Sequence, residues 1–148
     1  NSMKFTPELI FKDKSINKVK INNADKSSIS KGVRIIKSLS KFDIGQSVVI
    51  NNGYVLAIEG PEGTDETIKR SLHLSKKYKL KNKSILIKFP KANQDLRIDL
   101  PTIGFDTIKN CIKANIKGIA VKRSQNIILD KDKIINLVKK NNFFIISI

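Results

Sequence analysis

The spacing of apolar positions changes along the chain, and the changes divide it into elements. Over residues 27–39, Ile29, Val33, Ile36 and Leu39 recur at helical spacing, with Ser27 or Ser28 placed to cap the helix. Asp43 to Gly45 break that pattern. Two β-rich runs follow, residues 47–50 and 54–58, on either side of Asn51, Asn52 and Gly53. Asn and Gly tolerate positive φ, so this is a tight hairpin. Gly63 and Thr64 open a second helix that should run to about Lys77, with Asp65 and Glu66 in its first turn, where carboxylates suit the helix dipole. Residues 85–89 form a short apolar strand closed by Pro90.

The second half reads in a similar order. Residues 106–116 form a helix with Ile108, Cys111 and Ile112 on one face. Residues 118–121 and 126–129 are expected to pair as a hairpin around Arg123, Ser124 and Gln125. Asp130 caps a helix carrying Ile134, Ile135 and Val138, and residues 143–148 are a last apolar strand. Helix, hairpin, helix and strand thus occur twice, over residues 27–89 and 106–148, as a weak internal duplication. The expected fold is α/β, a single domain with a mixed β-sheet flanked by helices. Residues 1–26 read as a vector-derived remnant (Asn1 and Ser2 ahead of Met3) and a polar, extended arm; residues 27–148 form the domain.

Composition narrows the class. A chain of 148 residues with 40% apolar and 28% charged positions is an ordinary globular domain. No apolar run approaches the ~18 residues of a membrane-spanning helix, and the start shows no apolar core with a cleavage site. One cysteine forms no internal disulfide, and Cys111 with His73 makes no zinc cluster, so the simplest compartment is cytoplasmic.

The net charge of +16 first suggests nucleic acid. Yet the basic residues are 25 lysines and only 4 arginines, in a chain also rich in Ile and Asn, residues that share A/T-rich codons with lysine. Arg forks and aromatic platforms, the usual tools of nucleic-acid readers, are scarce: there are four arginines, no Trp and only two tyrosines, Tyr54 and Tyr78. A partner other than nucleic acid is expected.

Where lysine is absent tells more. Residues 42–68 and 92–108 contain none, yet hold eight of the thirteen acids: Asp43, Glu59, Glu62, Asp65 and Glu66, then Asp95, Asp99 and Asp106. Buried strands and tight turns would exclude lysine there, and so would an acidic site.

The second window contains QDLRIDLPTIG, residues 94–104. In an extended strand Asp95, Arg97 and Asp99 share one face, and Leu96, Ile98 and Leu100 the other. At ~3.3 Å per residue the two aspartates lie about 13 Å apart, so one cation reaches both only if the strand bends. Pro101 to Gly104 then turn into a helix amino terminus, whose N–H groups can meet a phosphate. Carboxylates, an arginine and helix-end donors suit phosphoryl chemistry with a hard cation. The plainer alternative is an exposed ion pair of Arg97 with Asp95 or Asp99. The first window contains EGPEGTD, residues 59–65, in which Glu62, Thr64 and Asp65 could face a sugar, nucleotide or metal. Alternatively Gly60 and Gly63 serve only the turn, and Thr64 caps the helix. His73 reads as a surface residue and Cys111 as core.

Taken in order, DIGQSVVI, LAIEGPEGTD, QDLRIDLPTIG, KGIAVK and IILD (residues 43–50, 56–65, 94–104, 117–122 and 127–130) resemble the LpxI-type UDP-2,3-diacylglucosamine pyrophosphatases. The resemblance runs from about Ser30 to the end, weakens before Ser30, and covers only the carboxy-terminal domain of a two-domain family whose amino-terminal half is Rossmann-like. It implies a Mg²⁺-dependent hydrolase of lipid A synthesis that splits UDP-2,3-diacylglucosamine into UMP and 2,3-diacylglucosamine 1-phosphate (lipid X), with water attacking the phosphorus on the sugar side. It places the catalytic acids at Asp95 and Asp99, one holding Mg²⁺ and the other acting as base or orienting group. Arg97, Thr102 and Gly104 become candidates for the pyrophosphate, and Glu59, Glu62, Thr64 and Asp65, joined by Arg70, match the second motif. It also implies peripheral contact with the inner membrane of a Gram-negative bacterium, on its cytoplasmic face, and is compatible with a homodimer. A nucleic-acid-binding module, or a substrate-holding domain inactive without its partner domain, is the competing reading.

Overall fold

The computed structural model of the chain describes residues 15–17, 19–90 and 102–148. Strand β1 (Ser15–Ile16) precedes helix α1 (Asn23–Leu39), which ends in a 3-10 turn at Ser40–Phe42. Helix α1 starts four residues before Ser27, because Asn22 and Asp25 form a capping box. The Asn22 side chain accepts from the Asp25 N–H at 2.8 Å, and the Asp25 carboxylate accepts from the Asn22 N–H at 3.1 Å. Ser28, expected as a cap, is buried, and its hydroxyl accepts from the Gly53 N–H instead.

The first hairpin forms as its turn chemistry requires: β2 (Ser47–Asn51) and β3 (Tyr54–Ile58) are antiparallel, and Asn52 and Gly53 take φ of 47° and 90°. Helix α2 (Thr64–Lys77), strand β4 (Ser84–Lys88), strand β5 (Thr102–Ile103), helix α3 (Phe105–Lys113) and strand β6 (Ile116–Val121) follow. Strand β7 (Ile127–Ile128), helix α4 (Lys131–Lys140) and strand β8 (Phe144–Ser147) complete the chain. Helix α3 stops before the predicted Ile116, since Asn115 takes a left-handed φ of 61° and Ile116 begins a strand. Asp130 stands at the start of α4 in a left-handed conformation, with no capping bond from its side chain.

The main sheet has the order β1-β8-β6-β4-β2-β3. Strands β4, β6 and β8 are mutually parallel; β2 and β1 run antiparallel to β4 and β8. The expected mixed α/β sheet is therefore present. The second hairpin is not. Strand β6 is paired on both sides, by β4 and β8, so no edge remains for β7, which pairs in parallel with β5 in a separate two-stranded sheet. Helix, hairpin, helix and strand occur in that order once, and the expected duplication is not reproduced.

Successive side chains of a strand point to opposite faces, and the core divides accordingly. Val48, Ile50, Ile85, Ile87, Ala120 and Phe144 pack under α1 through Ile29 and Ile36. Val49, Leu86, Ile119, Val121 and Ile145 pack under α2, α3 and α4 through Ile68, Ile108, Cys111, Ile134 and Val138. Each fully buried Ile or Leu contributes roughly 1.5–3 kcal/mol, so these two layers hold the sheet edge rigid where the motifs lie.

Candidate functional site

Parallel strands β4, β6 and β8 all end on one edge of the sheet, at Lys88, Val121 and Ser147. Antiparallel β2 begins there, with Ser47 opposite Lys88, and helices α2 and α3 start there. In open α/β sheets this carboxyl edge is where ligands bind.

Glu59 organises one side of the edge. It follows β3 and is buried. Its Oε2 accepts from the Gln46 N–H at 2.6 Å, and its Oε1 from the Ser47 hydroxyl at 3.2 Å and from the Thr64 hydroxyl. Both oxygens therefore join the start of β2 to the first turn of α2. Thr64 does not cap α2; Gly63 occupies that position, with a φ of 88° that suits glycine, and contributes no side-chain capping bond. An open cleft of about 500 Å³ lies beside this turn, bordered by Gly45, Gln46, Glu59, Gly60 and Gly63.

Glu62 and Arg70 form a second, exposed unit. Arg70 donates to Glu62 at 2.8 Å and to the Ile58 carbonyl at 2.7 Å, while Thr67 and the Gly60 N–H also donate to Glu62. The hydrogen bond from Arg70 holds the Glu62 carboxyl below its ordinary pKa. Arg70 is thereby tied to Glu62 of the EGPEGTD turn.

Asp65 lies in the first turn of α2, and Thr107 of α3 donates to its carboxylate at 3.4 Å. The first turns of the two helices face each other across this contact. Gly104 precedes α3 with no side-chain cap, leaving the first N–H groups of that helix without a capping side chain. Thr102 exposes its side chain, while its carbonyl accepts from Lys88 Nζ at 3.0 Å. Asp95, Arg97 and Asp99 lie outside the described residues, between Pro90 and Thr102 in the chain. Among the described residues no group of three or more His, Cys, Asp or Glu side chains could hold a metal ion.

Four contributors were missed in the sequence. Lys88 is 8% exposed at the end of β4. Burial pushes its pKa below the ordinary lysine value, opposed by the negative charges of Glu59 and Asp65. The signal was a lone cation closing a buried apolar run before Pro90. Gly45 lets Glu59 approach, and Thr107 reaches Asp65. Asn126, which precedes β7, is fully buried, and its Oδ1 has no hydrogen-bond partner among the described residues. Cys111 is core, as expected, and burial raises its thiol pKa. His73 is exposed.

A family profile described as the LpxI C-terminal domain matches residues 12–146. The chain belongs to that family. A relative from Caulobacter vibrioides, named UDP-2,3-diacylglucosamine pyrophosphatase LpxI, is 30% identical over 125 residues, covering 82% of this chain and 45% of the relative. The chain thus spans less than half the length of that relative. The LpxI profile begins at residue 12, ahead of the Ser30 at which the motif resemblance starts, and so takes in β1 and all of α1. The sheet edge described above is the part of this LpxI domain where the motif-bearing turns converge. No helix among the described residues is long and apolar enough to cross a membrane.

Proposed function

We propose that this domain carries the hydrolytic site for the pyrophosphate of UDP-2,3-diacylglucosamine, releasing UMP and lipid X in lipid A biosynthesis. The observation that carries the reading is the convergence, on one carboxyl edge of an LpxI-family sheet, of the EGPEGTD turn and the end of the QDLRIDLPTIG segment. The helix N-termini behind Gly63 and Gly104 supply backbone donors and a positive dipole end for an anionic pyrophosphate. Thr102 adds an exposed hydroxyl, and Arg97 a cation for charge that develops as the anhydride opens.

The cation in this reading is Mg²⁺. One of Asp95 and Asp99, whose carboxylate oxygens are hard ligands, would hold it, and the other would act as base or orienting group. Glu59 has both oxygens committed to hydrogen bonds, and the described residues supply no ligand cluster of their own, so the set depends on those two aspartates. When bound, Mg²⁺ neutralises phosphate charge. Asp65, held toward α3 by Thr107, adds negative charge at the mouth. Lys88 offsets part of it.

A substrate with two acyl chains is met at a membrane surface, which in this reading is the cytoplasmic face of the inner membrane of a Gram-negative bacterium. The net charge of +16 suits approach to an anionic lipid surface. Asp95→Ala and Asp99→Ala in the full-length parent test the assignment. Each should abolish Mg²⁺-dependent turnover with the fold retained, and normal activity in both variants contradicts it.

A further inference from the structure

Lys88 has features that a structural lysine rarely combines. It ends β4, the parallel strand between β6 and the β2–β3 hairpin, and it is 8% exposed although the other described lysines lie largely on the surface. Its Nζ donates to the carbonyl of Thr102, fourteen positions along the chain. Phe89 and Pro90 leave the sheet immediately after it, and Thr102 is the first residue of β5. The bond therefore joins the point where the segment bearing Asp95, Arg97 and Asp99 departs to the point where it returns. Beyond Thr102 the chain is held firmly: Ile103 is fully buried, its carbonyl accepts from the Leu129 N–H at 3.0 Å, and β5 pairs with β7.

An ammonium ion buried to this extent is costly unless neighbouring charge and hydrogen bonds offset the loss of water. Here the negative charges of Glu59 and Asp65 act on it, one from the end of β3 and the other from the first turn of α2.

We propose that Lys88 is a positioning residue of the candidate site, a buried cation that latches the start of β5 to the end of β4 through the Thr102 carbonyl and so fixes Thr102 and the first turn of α3 at the carboxyl edge. The role in turnover rests on the pyrophosphatase reading; the latch itself does not. Fixing Thr102 and Gly104 limits where their donors can lie relative to a bound pyrophosphate, which is how a group that touches no reacting atom changes kcat.

Lys88→Met keeps the aliphatic stem and removes the charge; Lys88→Arg keeps the charge. Amide hydrogen exchange reads the latch without turnover. In Lys88→Met the Leu129 N–H should exchange about tenfold faster or more, with Ile119 in the sheet centre unchanged and Lys88→Arg closer to wild type. Wild-type exchange at Leu129 in a folded Lys88→Met chain overturns the proposal. If Lys88→Met does not fold, the ammonium spectrum of ¹⁵N-lysine wild type decides. One resonance protected from water, absent in Lys88→Arg, supports the latch, and free exchange of every lysine overturns it. In the full-length parent, Lys88→Met should lower kcat roughly 100-fold with KM changed less than about threefold. Absence of wild-type turnover would count against the pyrophosphatase reading alone, since Leu129 exchange still decides the latch.

Discussion

Gly45 and Glu59 pack so closely that no β-carbon fits between them: one added at position 45 would lie 2.6 Å from Glu59 Oε2 and 2.5 Å from the Glu59 carbonyl oxygen. The obstacle includes backbone, so the side chain cannot simply rotate away. Gly45→Ala should therefore displace Glu59, lose its bonds to Gln46 and Ser47, and cost about 1–3 kcal/mol. Urea unfolding of the variant beside wild type measures this, and an unchanged midpoint would show that the turn relaxes freely.

Glu59 itself accepts three hydrogen bonds from two elements. Glu59→Gln keeps the shape but removes the charge and one acceptor oxygen: its NH₂ faces either the Gln46 N–H, which cannot accept, or the Ser47 and Thr64 hydroxyls, which must turn to accept and give up their bonds to Glu59. A loss of roughly 1–3 kcal/mol is expected. The loss should exceed that of Glu66→Gln, because Glu66 is exposed and paired only with Lys69 at the surface. Equal effects of the two substitutions would remove Glu59 from its structural role.

The Glu62 carboxyl titrates below its reference value of 4.5 because Arg70 donates to it. A group whose folded pKa is depressed contributes stability above its unfolded pKa and loses it as pH falls through the folded value. Arg70→Met should bring the Glu62 carboxyl back toward 4.5 in a carbon-detected NMR titration. It should also make stability less sensitive to acid through that window. A Glu62 titration unmoved by Arg70→Met contradicts the pairing.

With a net charge of +16, the chain should bind vesicles containing anionic phospholipid at low ionic strength and release them as salt is raised. Neutral vesicles should not retain it. Co-sedimentation distinguishes the cases, and indifference to anionic lipid at low salt counts against the membrane-surface reading.

What the sequence disclosed depended on how local each signal was. The β2–β3 hairpin was legible because Asn52 and Gly53 dictate a turn whose partners are neighbours in the chain. The start of α1 was misplaced because Asn22 and Asp25, which cap it, stand in a polar stretch without apolar periodicity. The supposed second hairpin had turn-like residues, but β6 is already paired with β4 and β8, strands distant in sequence, and no local pattern reports a parallel partner. At the site, the two acidic motifs were visible as lysine-free windows. Lys88 was not singled out, because its place inside a short apolar run is a weak mark for one lysine among 25 until its burial is known. The hydrogen bonds of Glu59 were equally hidden, since they depend on where the start of β2 meets the first turn of α2.

The most direct measurement is UMP release from UDP-2,3-diacylglucosamine by this chain and by its full-length parent, each with Mg²⁺ and with EDTA. The account predicts release by the parent that requires Mg²⁺ and stops in EDTA. Release by the 148-residue chain as well would place the whole catalytic apparatus within it. No release by either protein would contradict the assignment of pyrophosphate hydrolysis to this site.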